Sequence, residues 1–268
     1  MRNLKLVLAY DGTDYCGWQV QPRSLSIQGE LASAIGRLTG ENVLPQGSGR
    51  TDAGVHALGQ VASFAIESLI PAANLVLALN HILPPSIRVL EATEVPPDFH
   101  ARKSARAKTY RYRIYRGPVC PPFLARYVWH YPYPLHFEVL EAAACLIEGE
   151  HDFTSFAAVD PEKQVCEGGA RDKSNVRRIF SSGWRREGDE FVYEVCGNGF
   201  LHHMVRNLVG TYALIGKGTL SSGDMSKILA AADRSAAGRT APASGLYLVT
   251  VDYETSVSPA PPENNNRL

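Results

Sequence analysis

The chain of 268 residues has little cysteine, and no pairing pattern in what it has. Its five cysteines (Cys16, Cys120, Cys145, Cys166 and Cys196) are odd in number, scattered and never spaced C-x-x-C. Such spacing supports neither a zinc site nor a disulfide framework, and it fits a reducing, cytoplasmic setting. Net charge is also missing: 27 Lys and Arg balance 27 Asp and Glu, for a formal charge of +0. Taken alone, that argues against a nucleic-acid partner. No apolar run is long enough to span a bilayer. The opening MRNLKLVLAYDGTDY alternates and is too short for a signal peptide; it reads as a first strand. There is no Walker A sequence, and GSG at 47–49 lacks the third glycine of a dinucleotide fingerprint. No Ser-His-Asp or Cys-His arrangement stands out. What remains is ordinary for a globular protein, with 45% hydrophobic and 20% charged residues. The length suffices for two domains or one large one.

The charge that is present is unevenly placed. Residues 102–116 carry Arg102, Lys103, Arg106, Lys108, Arg111, Arg113 and Arg116 with no acid among them. Residues 171–186 carry Arg171, Lys173, Arg177, Arg178, Arg185 and Arg186 against Asp172 alone. Segregation of this kind predicts a basic face on a neutral protein, which phosphates would feel. The plainer alternative is a pair of solvated strand faces.

The hydrophobic pattern predicts strands over 4–10, 42–48, 58–66 and 86–95, with helices over 27–38 and 71–82. Ser26 is placed to cap the first helix and Gly40 to stop it. The order is β-α-β-β-α-β. A second round follows: a strand over 105–116, a helix over 135–148 closed by Gly149, and a hairpin of 175–184 and 190–197 about Glu187-Gly188. Helices over 200–216 and 222–233 and a closing strand over 246–253 complete it. The reading is an α+β protein of two ferredoxin-like (β-α-β-β-α-β) halves, sheets side by side, with the active-site cleft between them. The halves run 1–104 and 105–254, and the Pro- and Asn-rich residues 255–268 read as a disordered tail.

Chemistry concentrates in GSGRTDAGVHALGQVASF, residues 47–64. Gly47, Gly49 and Gly54 permit tight bends and close approach of a ligand to the main chain. Arg50 and Asp52 stand among them. A carboxylate beside a cation favours its charged form, and a positioned carboxylate can act as nucleophile or base. A solvated polar hairpin would look similar. Arg206 lies inside the apolar run HHMVRNLVG, where a partly buried guanidinium needs an anion, and Asp52 is the natural candidate; an Arg that snorkels to water is the alternative. Tyr110, Tyr112 and Ile114 alternate with Arg111 and Arg113. Tyr110 therefore has the setting of a base-stacking platform, or of a core tyrosine. His202 and His203 are adjacent, so on a helix they diverge by about 100° and make no metal pair. With His56 they could line an RNA groove.

GRTDAGVHA at 49–57, KTYRYRI at 108–114 and GFLHHMVRNLVGT at 199–211 resemble a tRNA pseudouridine synthase of the TruA family. AYDGTDYCGWQ at 9–19, NHILPPSIRV at 80–89, DFHARKSA at 98–105, GEHDFTSF at 149–156 and SGLYLVTVDY at 244–253 extend the likeness, in family order, over about residues 3 to 254. Lys103 stands where many relatives carry an aromatic, and residues 157–174 match no fixed pattern. The resemblance implies an isomerase converting uridine to pseudouridine at positions 38, 39 and 40 in the anticodon stem-loop of tRNAs. It implies Asp52 as catalytic nucleophile, Tyr110 stacked on the target base and Arg206 paired with the carboxylate. Arg50 would hold the flipped nucleotide and Leu246 close the pocket. His56, Arg102, Lys108, His202 and His203 are weaker candidates for RNA contact. No metal or organic cofactor is implied; the partners are tRNA and a second copy in a homodimer, in the cytoplasm, without a membrane. Whether Asp52 attacks C1′, attacks C6 or removes the C2′ proton stays open. A non-catalytic RNA-binding protein of the same plan and an Asp52 hydrolase are the competing classes. The first lacks an RNP1-type sequence and the second a visible water-activating group.

Overall fold

The computed structural model describes residues 1–158 and 174–253. The expected tail at 255–268, Cys166 and most of the variable segment 157–174 lie outside the described residues. Alternation builds the first strand, β1 (Arg2–Tyr10), with Leu4, Leu6, Leu8 and Tyr10 turned into the core. Helix α1 (Ile27–Thr39) starts where the Ser26 hydroxyl accepts the Gly29 N–H and stops at Gly40, with Ile27, Leu31 and Ile35 inward. Strand β2 has only two residues, Gln46–Gly47, because Pro45 brings no N–H to a ladder. β3 (His56–Ile66), α2 (Ala72–Ile82) and β4 (Ile87–Val95) complete the first round.

The second round opens with β5 (Ala107–Tyr115) and a two-residue strand β6 (Trp129–His130). Helix α3 (Phe137–Cys145) is shorter than its apolar pattern suggests, because past Cys145 the turn tightens, with the N–H groups of Leu146, Ile147 and Glu148 donating to the Ala143, Ala144 and Cys145 carbonyls. β7 (Gly149–Asp152), β8 (Val176–Glu187) and β9 (Glu190–Gly197) follow, then α4 (Met204–Gly216), α5 (Asp224–Ala231) and β10 (Leu246–Asp252). Helix α4 does not include residues 200–203; its start is set by a left-handed His203, φ 59°.

Among the described residues, ten strands form one sheet in the order β4-β1-β3-β10-β5-β9-β8-β7, with β2 on β3 and β6 on β5. Along that path every pairing is antiparallel except β3 with β10, where His56 and Ala57 face Tyr247 and Leu248. The last strand is thus wedged between the two rounds. Helices α1 and α2 pack together over the first and α3 and α4 over the second, above one continuous apolar core. Among the described residues, no helix is long and apolar enough to cross a membrane.

Candidate active site

The loop from Ser48 to Val55 is held from several sides. The Tyr10 hydroxyl meets Thr51 Oγ1 at 2.9 Å, and the Trp18 N–H donates to the Thr51 carbonyl. Gln60, wholly buried in β3, accepts from the Ser48 hydroxyl at 2.7 Å and donates to the Gly49 carbonyl at 2.9 Å. From β5, Lys108 Nζ donates to the Ser48 carbonyl at 2.6 Å. A loop so tied presents one side chain in a fixed place, and that side chain is Asp52.

Arg206 reaches it from α4. Its Nη1 lies 2.9 Å from Asp52 Oδ2, and its Nε donates to the Ala241 carbonyl at 2.8 Å. The two side chains are only 15% and 18% exposed, so this ion pair is largely shielded from water. His203 Nε2 stands 3.4 Å from the same oxygen and His202 Nε2 3.6 Å from Oδ1. Burial holds the His203 imidazole below its ordinary value, against the upward pull of Asp52. The two histidine rings lie 3.9 Å apart at 34°, so the divergence expected of helical neighbours does not occur. The left-handed backbone at His203 brings both imidazoles to one carboxylate. The ligating atoms of Asp52, His202 and His203 fall within 4.8 Å of one another, a metal-holding arrangement in itself. The guanidinium on Oδ2 competes with any cation for that oxygen.

Tyr110 is 8% exposed and packs edge-on against Phe200 at 4.9 Å. Burial first, then the charges of Tyr10 and Asp52, push its hydroxyl well above the ordinary tyrosine value. Leu246, buried, is paired with Tyr112 at the start of β10. Arg50 is exposed on the loop, and Arg102 is exposed beyond the start of β5.

His56 goes elsewhere. It is 1% exposed, accepts the Gly12 N–H at Nδ1 and meets the Arg126 carbonyl at Nε2, with Tyr247 stacked at 4.9 Å. A side chain so enclosed lines no groove. The expected basic face is neutralised in part. Arg111 pairs with Glu194, Arg113 with Glu190, Arg185 with Glu187 and Glu194, and Arg186 with Glu138. The acids missing from the basic strands come from their neighbours across the sheet and from α3. Sequence reasoning also missed Gln60 and Tyr10, which tie down the loop. The one signal for Gln60 was an amide in an otherwise apolar strand.

A family model described as tRNA pseudouridine synthase matches residues 6–102 and 143–254. The chain is 50% identical over 253 residues to the tRNA pseudouridine synthase A of Solibacter usitatus (strain Ellin6076), covering 94% of this chain and 100% of that protein. It is 46% identical over 252 residues to the protein of that name from Moorella thermoacetica, covering 93% and 99%. The chain belongs to the tRNA pseudouridine synthase family. Enzymes of this family are isomerases acting on uridine in tRNA. The Asp52–Arg206 pair, drawn from both matched stretches, is thus read in the setting of an RNA isomerase.

Proposed function

We propose that this protein converts uridine to pseudouridine at positions 38, 39 and 40 of the tRNA anticodon stem-loop, with Asp52 as the nucleophile. The observation that carries the assignment of the site is the shielded contact of Asp52 with Arg206, flanked by two imidazoles. The reaction breaks the N1–C1′ bond and makes a C5–C1′ bond; C5 loses a proton and N1 gains one. Nothing is oxidised, reduced or hydrolysed, so the steps call for no metal or organic cofactor. The uridine must leave the helical stack before its base can turn. Tyr110 stacks on the detached uracil. Its hydroxyl, driven upward by burial, stays protonated and can donate a hydrogen bond. Leu246 closes the apolar side of the pocket. Arg50, Arg102, Lys108, His202 and His203 contact the RNA, and a positive Arg206 orients the carboxylate.

The strand orders β4-β1-β3-β2 and β10-β5-β9-β8 match, which supports two ferredoxin-like halves of residues 1–104 and 105–254. The site then lies in the cleft where they meet: Asp52 comes from the first half, and Tyr110 and Arg206 from the second. We place the enzyme in the cytoplasm, as a homodimer. Free Cys16, Cys120, Cys145 and Cys196 agree with a reducing compartment.

Release of tritium from [5-³H]uridine in anticodon stem-loop RNA tests the assignment, because isomerisation alone displaces the C5 hydrogen. Asp52→Asn, which removes charge and little volume, should abolish release while leaving RNA affinity within about tenfold. Sustained turnover by that variant would remove Asp52 from the chemistry.

A further inference from the structure

Of the basic residues on β5, Lys108 is the one placed with Tyr110. Strand residues two apart share a face, so its stem leaves the sheet about 7 Å from the tyrosine. Arg111 and Arg113, on the other face, are each matched to a glutamate. Among the described residues no carboxylate pairs with Lys108, and its partner is the Ser48 carbonyl at 2.6 Å. An ammonium carries three donors, so two are left in a half-buried place. A Cβ on Gly49 would stand 3.1 Å from Nζ, and the glycine leaves that flank of the amine bare. An unmatched half-buried cation is costly, and a chain that keeps one beside its reactive loop has an anion to bring there. Burial and the charge of Arg102 together push the Lys108 ammonium down to about 8, as expected of a cation whose counter-ion is not part of the protein.

We infer that Lys108 binds one backbone phosphate of the RNA, the phosphodiester adjoining the extruded uridine, against the Ser48–Gly49 end of the loop that carries Asp52. The inference rests on the uridine-isomerase reading above and assigns one contact within it. A phosphate there would fix the ribose between Lys108 and Tyr110 and so set the reach of Asp52 to the sugar. It would also couple backbone recognition to the reactive loop through the Ser48 carbonyl.

The test is the salt dependence of binding. Anticodon stem-loop RNA is titrated onto wild-type protein, Lys108→Met and Lys108→Arg over a range of monovalent salt. One lost phosphate contact makes the slope of log K against log salt shallower by about 0.7 to 0.9 in Lys108→Met. Lys108→Arg keeps the wild-type slope. A lysine serving only as a strut for the loop would lower stability and leave the slope alone. Methylphosphonate linkages, placed in turn 5′ and 3′ of the target uridine, give a second arm that needs only wild-type protein. One of them must reproduce the shallower slope, and must add nothing further in Lys108→Met. Wild-type protein that converts this RNA, with a slope unmoved by Lys108→Met and by both neutral linkages, overturns the phosphate site and leaves the activity standing. Wild-type protein that neither binds nor converts it removes both.

Discussion

Asp52 is met by a guanidinium 154 positions further along the chain. That pairing was legible before any coordinates: an arginine inside an apolar helical run must find an anion, and few carboxylates sit in a turn built to present one. The histidines were not. Their approach to Asp52 depends on one left-handed residue, His203, and no local pattern announces a positive φ at a histidine. His56 was misread because its partners at Asp11, Gly12 and Arg126 are remote in sequence. Its burial carries a testable consequence. Enclosure holds the imidazole below its ordinary value of 6.5, chiefly by desolvation, so the native state keeps it neutral while the unfolded chain takes up a proton. Stability is therefore full above about pH 6.5 and declines as the pH falls below it. His203 adds a slope of the same sign. Urea midpoints measured against pH should fall on acidification, and His56→Gln should flatten that fall; an unchanged slope would contradict the enclosed-histidine account.

Helix α4 carries Arg206 to the site and is itself positioned by a close crossing. A Cβ on Gly210 would stand 1.7 Å from the Arg239 carbonyl oxygen, so the chain at 238–241 lies directly on the helix backbone. The same segment supplies the Ala241 carbonyl that receives Arg206 Nε. Gly210→Ala must push the two apart, at a cost of about 1–3 kcal/mol or more. Denaturant unfolding should show that loss, and tritium release should fall with it, because the guanidinium loses its second anchor. The helices were foreseeable because their apolar periodicity and caps are local. Their exact ends were not, where a left-handed residue or a tightened turn intervenes, as at His203 and after Cys145. The basic strands were legible only in part for a related reason: a run of arginines shows its own charge and not that of the strand it pairs with. Glu190 and Glu194 lie on β9, some eighty residues from Arg111 and Arg113.

At the scale of the molecule, the sheet is continuous through a single parallel contact. Leu248 sits at that seam, fully buried, opposite Ala57 on one side and Tyr110 on the other. Leu248→Ala should cost about 2–5 kcal/mol. Because the strand belongs to both rounds, the loss should appear in both at once. Fluorescence from Trp18 in the first round and Trp184 in the second, followed separately, should shift to the same lower midpoint. Two separated transitions would mean that the rounds are coupled less tightly than the shared strand requires. The succession of strands and helices was readable. The place of the final strand between the rounds was not, because strand order is decided by contacts of long sequence separation.

That order has a consequence for how the site is held together. The segment from Leu246 to Asp252 follows every other described strand in sequence, yet it fills the middle of the sheet. Withdrawing it would break the pairings with β3 and with β5 together. The loop of Asp52, just ahead of β3, and Tyr110 on β5 are thus held at their spacing through that one strand.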